Sequence, residues 1–306
     1  MEVAATLDFC SLQQTSVALG YFDGVHRGHM EVISRAVATA REKGLRPAVF
    51  TFVAEGGRKG ERALQGQLLT EAAKERLLAG AGVELVLTPH FASFRQMEPE
   101  QFVAEVIHLR LRARAVTCGY DFRFGRGGAG DAAALKRLCA PLGIAVEVVP
   151  EFRLAGREVS STRIRALIAQ GEVEEAGRLL GYPFAVEGSV GQGNHLGRTL
   201  QFPTVNQRLQ EGMVQPRFGV YVSRTRAAGR WWPSVTNVGV KPTVGSEWPV
   251  AETNLLGFSG DLYGAEIRVE LLHFLRGEQK FASVEALREQ IARDVQSARD
   301  YFAQNG

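Results

Sequence analysis

Along the first part of the chain, short apolar runs alternate with stretches in which apolar residues recur every three or four positions. Val17–Leu19 is one such run and stops at Gly20. Residues 29–43 then place Ile33, Val37 and Ala40 at helical spacing with polar residues between them. Further strands are predicted at Pro47–Phe52, Val83–Leu87, Ala115–Cys118 and Ile144–Val149. Helices are predicted near 71–80, 99–110 and 131–140, with two short ones at 161–169 and 173–180. Strands separated by helices predict a parallel sheet covered on both faces. After Gly181-Tyr182-Pro183 the pattern changes. Phe184–Val190, Phe218–Ser223, Ser234–Val238 and Ala265–Leu271 follow one another with Gly and Pro turns and no helical period between them. That spacing predicts an antiparallel barrel. Leu287, Ile291 and Val295 at i, i+4 and i+8 predict an amphipathic C-terminal helix over Val284 to about Phe302. The expected architecture is an α/β domain with a parallel sheet (residues 1–181), then an antiparallel β-barrel domain with a C-terminal helix (residues 182–306).

Composition narrows the class without naming it. At 306 residues the chain is longer than one hydrophobic core usually serves, and 45% hydrophobic with 23% charged residues is ordinary for a globular protein. The net charge of +3 suits a protein that handles phosphates but is too small to point to nucleic acid. Cys10, Cys118 and Cys139 are far apart and form no CxxC pair, so neither a disulfide framework nor a structural zinc site is indicated. No run approaches the ~18 apolar residues of a membrane helix. The opening MEVAATLDFC lacks a basic stretch followed by an apolar run, so no secretory signal is predicted and the cytoplasm is the expected compartment. Small molecules are the expected partners, and nothing indicates an oligomer.

The richest segment is Gly20-Tyr21-Phe22-Asp23-Gly24-Val25-His26-Arg27-Gly28-His29, between the first strand and the first long helix. Ligands of doubly wound sheets bind at the carboxyl ends of strands beside helix N-termini. Imidazoles there donate hydrogen bonds to phosphoryl oxygens as charge builds on them, and Gly28 admits close backbone approach. Taken by themselves, two histidines three apart cap a helix. At the far end of the same domain stands Val159-Ser160-Ser161-Thr162-Arg163-Ile164-Arg165, hydroxyls followed by arginine at a helix start, which suits either capping or phosphate binding. Together the segments resemble the HxGH and I-S-S-T-x-x-R signatures of the nucleotidylyltransferase superfamily in its flavin-adenylyltransferase form. Gly119-Tyr120-Asp121-Phe122-Arg123-Phe124-Gly125 is similar to that family's G-x-D-F-x-F-G, whose aromatics suit an isoalloxazine or adenine ring. Gly125, Gly127 and Gly130 also spell GxGxxG. A dinucleotide fingerprint occupies the first βα turn, and the histidine motif holds that place, so these glycines read as a turn over the nucleotide. The resemblance implies an α/β nucleotidylyltransferase (Rossmann-like) domain that binds ATP and FMN. It assigns catalytic roles to His26, His29 and Arg165, and ligand contacts to Gly20, Phe22, Asp23, Gly24, Gly28, Gly119, Asp121, Phe122, Phe124, Ser160, Ser161 and Thr162. Where the family continues its second strand as T-F-x-P-H-P, lining the flavin side, this chain has Thr51-Phe52-Val53-Ala54-Glu55-Gly56.

The second domain carries Gly193-Asn194-His195-Leu196-Gly197-Arg198-Thr199-Leu200-Gln201-Phe202-Pro203-Thr204-Val205-Asn206. It resembles the riboflavin-kinase signature G-x-x-x-G-R-x-L-G-F-P-T-x-N, with Gln201 in place of a glycine. The likeness continues through Phe218-Gly219-Val220-Tyr221, Asn237-Val238-Gly239-Val240-Lys241-Pro242-Thr243, Glu252 and Gly260-Asp261-Leu262-Tyr263-Gly264, and ends on Leu275-Arg276 and Lys280-Phe281. It implies ATP and Mg²⁺ binding, with Thr204 and Asn206 on the metal, the oxygen donors that ion prefers. Gly193, Gly197, Arg198 and Pro203 would line the nucleotide, and Glu252 would serve as general base toward the ribityl 5′-hydroxyl. Asn254 stands where the family has histidine. The whole is similar to the bifunctional riboflavin kinase/FAD synthetase family, with riboflavin, FMN and FAD as substrates and products. Two other readings stay open at this point: a kinase whose first domain only binds nucleotide, and a flavin or nucleotide sensor without turnover.

Overall fold

The computed structural model describes residues 1–53, 66–191, 203–243 and 246–305. The chain forms two compact units, Met1–Ser161 and Thr162–Gly306.

In the first unit, β1 (Glu2–Ala4), β2 (Thr15–Leu19), β3 (Arg46–Phe50), β4 (Leu85–Leu87), β5 (Ala113–Gly119) and β6 (Ala145–Val149) lie in the order β1-β4-β3-β2-β5-β6. Every neighbouring pair is parallel, as predicted. α1 (Arg27–Lys43), α2 (Glu71–Gly80), α3 (Pro99–Gln101) and α4 (Ala132–Cys139) cover the sheet. The helix expected over 99–110 makes only one α-turn before it widens into π-helical turns over Phe102–Arg110. β2 is buried along its entire length, because helices lie on both faces. Alternate residues serve opposite layers. Val17, Leu19, Phe50, Leu85 and Leu87 meet Phe102, Ile107 and Leu135 on one face. Ala18, Val49 and Val86 meet Ile33, Val37 and Leu78 on the other. β7 (Arg153–Leu154) and β8 (Arg157–Glu158) form a small hairpin whose turn residues Ala155 and Gly156 have φ of 50° and 73°.

The order of the strands locates the site. The chain steps from β2 through β3 to β4 on one side, then returns to the other side of β2 with β5 and β6. The reversal falls between β2 and β5, and such a switch point opens a crevice at the carboxyl ends of the two strands. Gly20 follows β2 and Gly119 ends β5, so two of the sequence motifs begin there.

The second unit begins within α5 (Ser161–Gln170) and continues through α6 (Val173–Leu180). Its barrel comprises β9 (Ala185–Gly191), β10 (Val205–Arg208), β11 (Gly219–Ala227), β12 (Arg230–Thr243), β13 (Ser246–Leu255) and β14 (Glu266–Arg276). It closes in the order β10-β13-β12-β11-β14-β9, antiparallel at each pair. The division between the compact units falls after Ser161, the first residue of α5, whereas the composition changes at Gly181. The Arg217 N–H donates to the Ile168 carbonyl, and α6 packs on β14, which ties both helices to the barrel. α7 (Val284–Asn305) lays Val295 and Ala298 over Val220, Val222 and Val235 on the barrel's outer face. Inside the barrel, fully buried Ser223, Thr225, Ser234, Thr236 and Thr253 join their hydroxyls at 2.7–3.2 Å.

Candidate active sites

At the switch point the backbone is contorted. Phe22, Gly24 and Val25 all have positive φ, of 53°, 85° and 34°, conformations that non-glycine residues hold only where their surroundings impose them. Those surroundings centre on Asp23. Its buried carboxylate accepts from the Leu68 N–H at 2.9 Å, and its carbonyl accepts from the Ser161 hydroxyl at 2.8 Å. The Thr51 hydroxyl donates to the Tyr21 carbonyl at 2.8 Å, and Phe52 stacks on the Tyr21 ring at 4.8 Å. A side chain at Gly20 would strike the Phe22 ring at 2.8 Å, so the glycine is required by packing.

This loop delivers both imidazoles. His26 is the N-cap of α1, where its Nδ1 accepts from the His29 N–H at 3.2 Å. An accepting Nδ1 places the ring proton on Nε2, leaving an N–H as the hydrogen-bond donor. The two rings stack with centroids 3.6 Å apart, and the edge of Phe22 closes on His29 at 5.4 Å. A Cβ at Gly28 would lie 3.3 Å from the His26 ring, which keeps that position small. The Nδ1 of His29 is enclosed and has no hydrogen-bond partner among the described residues. Burial, then His26 and Lys74, holds the His29 pKa well below 6.5.

Folding therefore favours neutral His29. Its contribution to stability is complete above pH 6.5 and is lost as pH falls below that value toward the folded-state midpoint. An NMR titration of the imidazole is expected to put its midpoint below 6.5 in the folded protein. A midpoint at the unperturbed value would mean that the ring is solvated.

Across the crevice, Phe124 is buried against Phe102 and Gly130, and its backbone pairs with that of Gly130. Phe122 is half-buried and stacks on it at 5.7 Å, while Asp121 is exposed. Gly125, Gly127 and Gly128 have φ of 65–73°, and Gly125 abuts Pro99. Backbone conformation and packing thus account for this glycine run. Cys118, on β5, is fully buried, and burial pushes its thiol up to about 12, in keeping with a small apolar role. Ser161 spends its hydroxyl on Asp23 at the start of α5, and Arg165 lies buried one turn further along that helix.

In the second unit the strand register assembles the site. β13 sets Glu252 directly opposite Asn206 of β10 on one side and Asn237 of β12 on the other. Residues so opposed on one face have Cβ atoms ~4.5–5.5 Å apart. Ala251 and Thr253 point into the barrel and are fully buried, so Glu252 and Asn254 share the outer face, half-buried. The Nδ2 of Asn254 donates to the Pro203 carbonyl at 2.7 Å, tethering the segment that carries Thr204. Asn254→Ala is expected to lower the stability of the folded protein by ~0.5–1.5 kcal/mol, the worth of one neutral hydrogen bond. Chemical denaturation of the variant would measure it. Thr204, Asn206 and Glu252 offer only hard oxygen donors, a set that fits Mg²⁺ bridging to phosphate. Among the described residues no group of three or more His, Cys, Asp or Glu could hold a metal.

Three features of these sites escaped the sequence reading. Lys74, on α2, is buried beside Tyr21. A side chain at Gly239 would collide with the carboxylate of Glu278, which places a second acid beside Asn237. The tether from Asn254 is the third. None has a local signature, because each depends on which segments the fold brings together. Gly193, Gly197, Arg198 and the altered Ala54, Glu55, Gly56 and Gln201 lie outside the described residues.

A family model of FAD synthetase matches residues 9–163, and one of riboflavin kinase matches residues 180–302. A Listeria monocytogenes protein named bifunctional riboflavin kinase/FMN adenylyltransferase is 35% identical over 296 residues, covering 94% of this chain and 92% of its own. The chain belongs to this family. The Escherichia coli (strain K12) member of the same name is 35% identical over 289 residues, with equal coverage. A crystal structure described as a macrolide-efflux protein from Streptococcus pneumoniae matches with a TM-score of 0.88 at 32% identity, over 97% of this chain and 98% of that one. Its likeness bears out the expected sheet and barrel. Among the described residues of this chain, no helix is long and apolar enough to cross a membrane.

Proposed function

We propose that this chain makes flavin cofactors in two steps, phosphorylating riboflavin to FMN with ATP and joining FMN to the AMP moiety of a second ATP, with release of pyrophosphate. Family membership over nearly the whole chain is the observation that carries the reading. Residues 1–181 are assigned to adenylyl transfer and 182–306 to phosphorylation, in the cytoplasm.

In the kinase step, Glu252 takes the proton from the ribityl 5′-hydroxyl, whose oxygen attacks the γ-phosphorus as ADP leaves. Its placement between Asn206 and Asn237 supports this role, since two amides in register restrict where the carboxylate can point. Thr204 and Asn206 would hold Mg²⁺, which supplies charge neutralisation on the phosphate oxygens. In the adenylyl step, a phosphate oxygen of FMN attacks the α-phosphorus and pyrophosphate leaves, without a covalent intermediate. His26 donates from Nε2, His29 donates a further hydrogen bond to the phosphoryl oxygens, and Arg165 supplies positive charge. Ser160 and Thr162 are assigned to the departing pyrophosphate, while Ser161 anchors the Asp23 loop.

Purified protein mixed with riboflavin, ATP and Mg²⁺, and separately with FMN, is expected to yield FMN followed by FAD on chromatography. FMN alone would leave a kinase with a nucleotide-binding first unit. No product from either flavin would leave a sensor.

A further inference from the structure

Lysine is rarely buried without an anion to meet it. Lys74 is 4% exposed. Among the described residues its ion pair is to Glu71, at 3.0 Å one turn back on α2, a side chain 37% exposed to solvent. The ammonium lies 5.5 Å from the centre of the Tyr21 ring, within the loop that carries His26 and His29. The segment leading into α2 is fastened to the same loop. Gln67 donates to the Tyr21 hydroxyl at 3.2 Å, the Leu68 N–H donates to Asp23, and Thr70 caps α2 through the Ala73 N–H at 3.1 Å. Two hydrogen bonds thus fasten the start of the helix that carries this buried cation to the histidine loop, and the Thr70 cap fixes the helix start.

We propose that Lys74 is an anion-binding residue of the adenylyl-transfer site, its ammonium supplying positive charge to nucleotide phosphate oxygens beside the His26–His29 pair. The proposal rests on the adenylyl-transfer reading given above. Neither the histidine motif nor the serine–arginine motif includes this residue. Its chemistry complements theirs: neutral imidazoles donate hydrogen bonds but bring no net charge, whereas a polyphosphate arrives with several negative charges. A cation close by also acts on the imidazole, and Lys74 is one of the groups that keep His29 deprotonated. One ammonium thereby attracts the phosphate and maintains the histidine as a neutral donor.

The decisive experiment compares Lys74→Met, which keeps the length and apolar stem, with Lys74→Arg, which keeps the charge, in FAD formation from FMN and in riboflavin phosphorylation. Lys74→Met is expected to raise the KM for ATP in FAD formation about tenfold to a hundredfold, the worth of one charge-assisted hydrogen bond. Lys74→Arg should stay within about threefold of the wild type, and both variants should phosphorylate riboflavin normally. The His29 midpoint should rise in Lys74→Met and stay at the wild-type value in Lys74→Arg, since a charge effect follows the cation whereas looser packing would solvate the ring in either variant. Wild-type ATP KM and an unmoved midpoint in Lys74→Met would overturn the proposal. If Lys74→Met lowers the melting temperature, Lys74→Arg decides: retained affinity supports the charge, and an equal loss refutes it. Failure of the wild-type protein to form any FAD would instead overturn the adenylyl-transfer reading itself.

Discussion

Glu252→Gln is expected to lower kcat for riboflavin phosphorylation by about a thousandfold while leaving FAD formation from added FMN at the wild-type rate. The magnitude is that of general acid–base catalysis, ~10²–10⁴-fold, because an amide of the same shape cannot take a proton. The selectivity follows from position. Glu252 lies on β13 in the second unit, on the outer face of a closed barrel. Folding should survive the change, since the side chain is half-buried and the barrel interior is made by its neighbours Ala251 and Thr253. Stopped assays with riboflavin and with FMN, on the same preparation, separate the two activities. Equal losses in both would point to damage to the fold, and an unchanged phosphorylation rate would remove Glu252 from the role of base.

The parts of the fold that were legible share one property: their buried residues are apolar. β2, β3, β4 and β5 announce themselves because a parallel sheet covered on both faces needs continuous runs such as Val17–Leu19. The barrel hides half of its pattern. Its interior contains Ser223, Thr225, Ser234, Thr236 and Thr253, which satisfy one another's hydroxyls, so inward positions read as polar. The apolar Val220, Val222 and Val235 face outward instead, under α7. β13 is the extreme case. Its sequence, Ser-Glu-Trp-Pro-Val-Ala-Glu-Thr-Asn-Leu, contains no apolar alternation, and the strand exists because β10 and β12 pair with it on either side. β10, at four residues, and β1, at three, are too short to show any period.

The candidate sites divide the same way. His26, His29, Asp23, Asn206 and Glu252 belong to contiguous motifs, but the register that sets Asn206 opposite Glu252 appears only in the folded barrel. Lys74 and Glu278 reach their sites through helix placement and a close approach to Gly239, and neither leaves a mark on neighbouring residues. The role of Ser161 was legible only in part. Its place at a helix start suits phosphate binding, but its hydroxyl is committed to the Asp23 carbonyl. That bond fixes the loop with three positive-φ residues which carries the imidazoles.

His29→Ala is expected to reduce kcat/KM for FAD formation by ~10²–10³-fold, the usual loss for one preorganised donor at developing phosphoryl charge. Riboflavin phosphorylation should be unaffected. His29 is a cleaner test than His26. The cap of α1 uses the Nδ1 of His26 and the backbone N–H of His29, so removing the His29 side chain leaves the cap in place. His26→Ala removes both donor and cap, and an N-cap is worth ~0.5–2 kcal/mol of stability, which would blur the reading of its rate. What His29→Ala does lose structurally is a stacked ring 3.6 Å from His26 and the contact with Phe22. His29→Asn, which keeps a donor of smaller reach, should recover part of the rate if hydrogen bonding to phosphate is the lost function. If His29→Asn and His29→Ala are equally slow at equal melting temperature, the imidazole acts through its stacking on His26. If His29→Ala makes FAD at the wild-type rate, the donor to the phosphoryl oxygens is His26 acting without its neighbour.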